Sequence, residues 1–364
     1  MMKTIIKILT TCLLGITLFT AINTEKVQAS VFNFAVIPQI PDNQLDGSKS
    51  YFDLLLKKGE KETLKVDLTN STDKEITILT TLNSATTNIN GVVEYGINKI
   101  KPDDSLIYNL KDYAKIPKEI KIPKKGKQTL SIELTSPSEN FDGVLAGGIT
   151  FKEKTKEKKE DAEAKGLSIK NEFSYMVALL VRQHKEAVAP HVNLLDAFPS
   201  QVNARNVLNA TLQNNQATFI NQVKISTSIV QRGKKDVMYE TMKSGLQIAP
   251  NSRFDFPTPL EGKELKPGKY TMNVMVFGGK HQDGKYKDEE SETYRHRWIL
   301  SKDFEISKDE AKELNSKDVD IKPSHTLWYV GGGSLLLLLL LVLLLLKKKR
   351  QDKEETDSDD SEEE

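Results

Sequence analysis

Hydrophobic and polar positions alternate with a period of two along most of this chain. Leu64, Val66 and Leu68 are interleaved with Lys65, Asp67 and Thr69, as in a strand with one buried and one wet face. The turn NSTD at 70–73 leads to Ile76, Ile78 and Thr80, which begin the next alternation, and KKGE at 57–60 is another turn. The theme returns at Ile120 and Ile122, then at Leu130, Ile132 and Leu134 after Lys125 and Gly126. Turn signals recur about every 8–12 residues between β-branched alternations, which predicts antiparallel sandwiches. The longest irregular piece of this half is 95–117. In DGVLAGGITF at 142–151, Gly147 and Gly148 would weaken a strand unless a backbone approaches closely or the strand bends there.

The charged run KEKTKEKKEDAEAKG at 152–166 has no apolar period and suits a hairpin loop, with a solvated helix as the other reading. A strand around 173–181 follows it. Two strands bracketing the run form one hairpin, which assigns the second of them to the first domain; the alternative is a boundary inside the run. Beyond Pro190 the alternation resumes at Val192 and Leu194, at 207–214, and at Val223, Ile225, Thr227 and Ile229. A strand at 271–277, a hairpin loop at 278–292 and a last strand carrying Trp298, Leu300, Phe304 and Ile306 complete a second unit of similar length.

A different pattern closes the chain. LWYVGGGSLLLLLLLVLLLL at 327–346 holds no charge. At about 1.5 Å per residue it is long enough for a hydrocarbon core of about 30 Å. Lys347, Lys348, Lys349 and Arg350 follow, so the positive-inside rule puts the C-terminus in the cytoplasm. Trp328 and Tyr329 fall at the outer end, at headgroup level. At the other end, Lys3 and Lys7, an apolar stretch at 8–22 and the V-x-A of Val27 to Ala29 read as a signal peptide cleaved before Ser30, with an uncleaved anchor as the alternative. Cys12 is the one cysteine and leaves with that segment, so the mature protein has no disulfide, thiolate metal site or cysteine nucleophile.

The predicted fold class is all-β: two consecutive immunoglobulin-like β-sandwich domains, one transmembrane helix and a disordered acidic tail. The expected divisions are a signal peptide at 1–29, sandwiches at 30–186 and 187–307, a charged stalk at 308–326, a membrane helix at 327–346 and a cytoplasmic tail at 347–364. A formal net charge of +1 offers no argument for nucleic acid. The five histidines are scattered without H-E-x-x-H spacing. Gly278-Gly279-Lys280 lacks the earlier glycine and the following Ser/Thr of a phosphate loop, and there is no G-x-S-x-G elbow. Catalytic, metal and cofactor residues are therefore not expected, and the chain reads as non-enzymatic.

YFDLLLKKGEKETLKVDLTNSTDKEI at 51–76, GVLAGGITF at 143–151 and NEFSYMVALLV at 171–181 together resemble one family. It comprises the two-domain surface proteins of Gram-positive firmicutes encoded alongside WxL proteins. The resemblance implies a peptidoglycan-binding first domain and a second domain that binds a WxL protein or a host extracellular-matrix protein. It further implies an adhesin or scaffold in the cell wall, held by one membrane helix. A chaperone or assembly factor using an open sheet edge is the alternative function. Tyr294 to Leu300 mimics a Y-x3-W-x-L motif, but Trp298 and Leu300 fall on one strand face and are expected in the core. Because sugar rings stack on aromatic faces, the candidate glycan residues are Tyr95, Tyr108 and Tyr113. Asn98, Asp103, Asp104 and Asn109 lie beside them as polar partners, the alternative being that these tyrosines pin the loop to the sandwich.

Overall fold

The structure is a computed structural model that describes residues 32–155, 173–321 and 334–345. The first sandwich packs the sheet β1 (Phe34–Gln39), β3 (Lys61–Asn70), β9 (Lys127–Thr135) and β7 (Ala114–Lys115) against a second sheet. That second sheet runs β2 (Phe52–Leu55), β11 (Ser174–Arg182), β10 (Leu145–Glu153), β4 (Ile76–Ser84) and β8 (Glu119–Ile122), while β5 (Thr86–Thr87) and β6 (Val93–Glu94) form a separate two-stranded ribbon. Leu64, Val66 and Leu68 of β3, with Ile132 of the adjacent β9, share one continuous core with Phe52, Ile78 and Phe151 of the second sheet, as their alternation requires. One pairing departs from the antiparallel expectation: β2 runs parallel to β11, with Phe52 opposite Leu179. Arg182 secures that edge by donating to Asp53 at 2.9 Å.

β10 and β11 pair antiparallel from Leu145–Val181 to Lys152–Ser174, so the charged run leaves and rejoins the same sheet. The two glycines of β10 are explained by what lies against them. A Cβ on Gly147 would sit 2.3 Å from the Asn83 carbonyl oxygen and 2.5 Å from Leu110. One on Gly148 would sit 2.7 Å from the Tyr95 Cβ.

The second sandwich packs β12 (Val192–Val202), β13 (Arg205–Asn214) and β16 (Ser252–Pro259) against a five-stranded sheet. The strands of that sheet are β15 (Val237–Ile248), β14 (Ile220–Gln231), β17 (Gly268–Lys280), β19 (Thr293–Ile306) and β18 (Tyr286–Lys287). Trp298, Leu300 and Phe304 pack half-buried against its core, while Ile299 between them is exposed. Lys224 and Asp288, both buried, pair at 2.8 Å and hold the 281–292 loop to the sheet. Burial pushes the Asp288 carboxyl up, and the Lys224 ammonium with two backbone N–H donors more than reverses this, leaving it below the usual range.

Residues 308–321 of the segment expected as a stalk fold onto this sandwich instead. Helix α1 (Lys308–Lys317) starts at Ser307, whose side chain accepts from the Glu310 N–H, and it buries Ala311 and packs Leu314 on the core. Asn315 donates to the Leu265 carbonyl and accepts from the Leu265 N–H, both at 2.9 Å. Asp318, also buried, accepts from the Asn206 N–H at 2.7 Å. Its composition is dominated by charge, but two apolar side chains and an asparagine are enough to dock one face.

Residues 334–345 are helical. Among the described residues, no helix is long and apolar enough to cross a membrane. The rest of the 327–346 span lies outside the described residues, as do the signal segment 1–29 and the tail 347–364.

Candidate functional site

The two sandwiches meet through a small apolar cluster of Ala85, Val144, Ala146, Leu180 and Ala249. Around it the backbones exchange bonds: Val144 N–H donates to Ala217 at 2.7 Å, and Gln247 N–H donates to Gly91 at 2.9 Å. The hydroxyls of Thr87 and Ser252, both buried, lie 2.8 Å apart, and Thr87 also accepts from the Ala249 N–H at 2.9 Å. Buried polar groups with partners at this distance are satisfied, so the contact carries little desolvation penalty.

Beside this seam lies the long irregular loop of the first sandwich. Its folding follows from a few anchors. Leu110, in a 3-10 turn at Leu110–Asp112, is fully buried in the first core. Ser84 at the end of β4 donates to the Asn109 side chain and accepts from the Leu110 N–H, each at 2.9 Å. Asn98 donates to Thr86 at 2.8 Å. The Asp103 side chain is fully shielded from solvent. It closes a turn by accepting from the Ser105 N–H at 2.9 Å and the Ser105 hydroxyl at 2.6 Å. From the second sandwich, Gln213 reaches Asp103 at 2.9 Å, Arg253 stands 3.9 Å away, and Asn251 donates to the Ser105 carbonyl at 3.0 Å.

These contacts enclose a polar cleft of about 180 Å³. Its walls include Asn83, Asn98, Asn109, Lys101 and Lys111 from the first sandwich and Asn251 and Arg253 from the second. A shallower depression of about 460 Å³ continues past Asn98, Lys101 and Arg253 to Thr211 and Asp255. Exposed aliphatic side chains stand on the same loop: Ile97 is 78% and Ile107 81% exposed, with Ile89 and Val92 nearby in sequence. Lys101 and Lys111 have no ion-pair partner among the described residues.

The structure separates the three candidate tyrosines. Tyr108 and Tyr113 meet edge to face at 5.9 Å, with Phe141 5.7 Å from Tyr108, and all three pack on the first core. Tyr95 lies over Gly148 in the seam cluster, where burial first and Tyr51 second raise the pKa of its hydroxyl. No shared aromatic platform results, and none of the three lines the cleft. The polar neighbours behave differently: Asn98, Asp103 and Asn109 do line it, while Asp104 is exposed outside it. Sequence reasoning missed Asn83, Lys101, Lys111, Asn251 and Arg253. The run NSATTN at 83–88, amides and hydroxyls ending a strand, was an available signal for the first; nothing local marks Asn251 or Arg253. No group of residues suited to a metal ion occurs among the described residues.

The two sandwiches are thus joined by an apolar cluster ringed with hydrogen bonds, and a structured loop lies over the cleft beside it. Residues 34–153 match the WxL Interacting Protein, peptidoglycan binding domain, and residues 164–316 match the WxL Interacting Protein, host binding domain. The chain belongs to the WxL interacting protein family. The second match begins ahead of β11, a strand that pairs within the first sandwich, so the matched boundary and the structural one differ. No curated protein sequence matches the chain. Among solved structures, a chain of the chaperone–tip adhesin complex of CFA/I fimbriae is 12% identical, covering 74% of this chain and 99% of that one, with a TM-score of 0.28. The class 5 fimbriae chaperone CfaA is 16% identical over 74% and 99%, with a TM-score of 0.27. The E. coli chaperone DraB is 15% identical over 75% and 98%, with a TM-score of 0.24. Similarity this low carries no functional information.

Proposed function

We propose that this chain is a membrane-anchored, non-enzymatic protein of the cell surface. In this reading its first sandwich holds peptidoglycan and its second holds a WxL protein or a host extracellular-matrix protein, as an adhesin or scaffold. The observation that supports this best is the order of the two family matches along one chain, peptidoglycan-binding domain before host-binding domain. The leucine run with its basic flank at 347–350 supports the anchor and an outward-facing ectodomain.

Purified full chain in detergent should sediment with insoluble peptidoglycan and keep a WxL or matrix protein bound through washing. A partner that is released once folded would favour an assembly factor instead. Protease added to wall-stripped cells should remove the ectodomain and spare the acidic tail; a protected ectodomain with an accessible tail would overturn the topology.

A further inference from the structure

We infer that the cleft at the seam is the wall-glycan site, that its ligand is an N-acetylated sugar bearing a carboxylate, and that the second sandwich completes it. The inference rests on the peptidoglycan-binding reading and adds where the ligand sits and what is recognised.

Three observations carry it. The cleft is preformed, because Asp103 and Ser105 are tied to Gln213 and Asn251 across the seam, so little loop ordering opposes binding. Its charge is one-sided. Lys101, Lys111 and Arg253 line it with a single carboxylate, Asp103, which is bonded by Ser105 and Gln213 and stands 3.9 Å from Arg253. Two lysines beyond the charge matched by that one carboxylate favour an anionic group, and a guanidinium suits a carboxylate in particular. Amide side chains supply the remaining polar wall: Asn83, Asn98 and Asn109, with exposed Ile97 at the edge. Amides match the N–H and carbonyl of an acetamido group, and an aliphatic edge suits its methyl. Peptidoglycan offers both features on one unit, since its lactyl-substituted sugar carries an acetamido group and a peptide stem with free carboxylates. A neutral N-acetylated polymer offers only the first.

The test titrates full chain in detergent with three probes: a soluble disaccharide-peptide fragment of peptidoglycan, the same fragment with its carboxylates amidated, and a neutral N-acetylglucosamine tetramer. The unmodified fragment should bind saturably, with affinity falling as salt rises, and the other two should bind about tenfold more weakly or worse. The double variant Lys101→Ala/Lys111→Ala, both exposed side chains, should lose about tenfold for the unmodified fragment with an unchanged melting temperature. Arg253→Gln should do the same from the second sandwich. If Arg253→Gln lowers melting, the charge reversal Lys111→Glu supplies a second readout. Equal binding of neutral and charged probes overturns the ligand class. Unaltered sedimentation of all cleft variants with peptidoglycan overturns the site while leaving the proposed function standing. Failure of the unaltered chain to sediment removes both.

Discussion

The carboxylate of Asp103, on the long loop of the first sandwich, receives the side-chain amide of Gln213 from the second at 2.9 and 3.1 Å. This contact makes the loop a shared part of both domains. Asp103→Ala removes a buried acceptor and leaves Gln213 and Ser105 without their partner, a cost of about 1–3 kcal/mol. Chemical denaturation should register it. A double-mutant cycle with Gln213→Ala should return coupling of about 0.5–3 kcal/mol, against near additivity if the contact were incidental.

Gly147 has room for no side chain. A methyl there would meet the Asn83 carbonyl oxygen at 2.3 Å and Leu110 at 2.5 Å, forcing either the β4 backbone or the loop anchor to move. Gly147→Ala should cost about 1–3 kcal/mol, measured as a fall in melting temperature. The same variant should also raise hydrogen exchange in the loop around Leu110.

Asp67 of β3 is held by Lys127 at 2.8 Å, Thr129 at 2.7 Å and Gln39 at 2.9 Å, and these bonds, Lys127's first, lower its pKa from 3.8 to about 2. A carboxyl whose pKa is lowered by folding binds fewer protons in the native state than in the unfolded one. Its stabilising effect is therefore complete above the unfolded pKa and disappears as pH falls toward the folded one. Melting temperature followed from pH 5 to about pH 2 should decline less steeply in Asp67→Asn than in the unaltered chain. Parallel curves would show that Asp67 is not linked to acid unfolding.

Asn315 joins α1 to the second sandwich by two bonds to Leu265 and one from Asn206, each at 2.9 Å. Asn315→Ala leaves those groups without their asparagine partner and should destabilise this sandwich by about 1–3 kcal/mol. Limited proteolysis should then cut the 308–320 segment faster than in the unaltered chain. Unchanged cleavage would mean that Ala311 and Leu314 dock the helix without help.

Local alternation by itself determined several strands and their inward faces: Leu64, Val66 and Leu68 in the first core, and Trp298 with Leu300 packed against the second, whereas the strand Val237–Ile248 was not foreseen. It determined these because side chains of a strand point to opposite faces in turn, so burial is written in neighbouring residues. Gly147 and Gly148 likewise announced a close approach, though not its partners, Leu110 and Tyr95. The tertiary structure alone decided the rest. The parallel pairing of β2 with β11 joins Phe52 to Leu179, and the docking of α1 joins Asn315 to Leu265. The cleft brings Lys101 and Lys111 to Asn251 and Arg253. Each of these depends on where the chain returns after a long path, and side-chain periodicity carries no record of that path. The three tyrosines show the same limit: aromatic rings in one loop suggest a platform, and packing sends Tyr95 to the seam and Tyr108 and Tyr113 to the core.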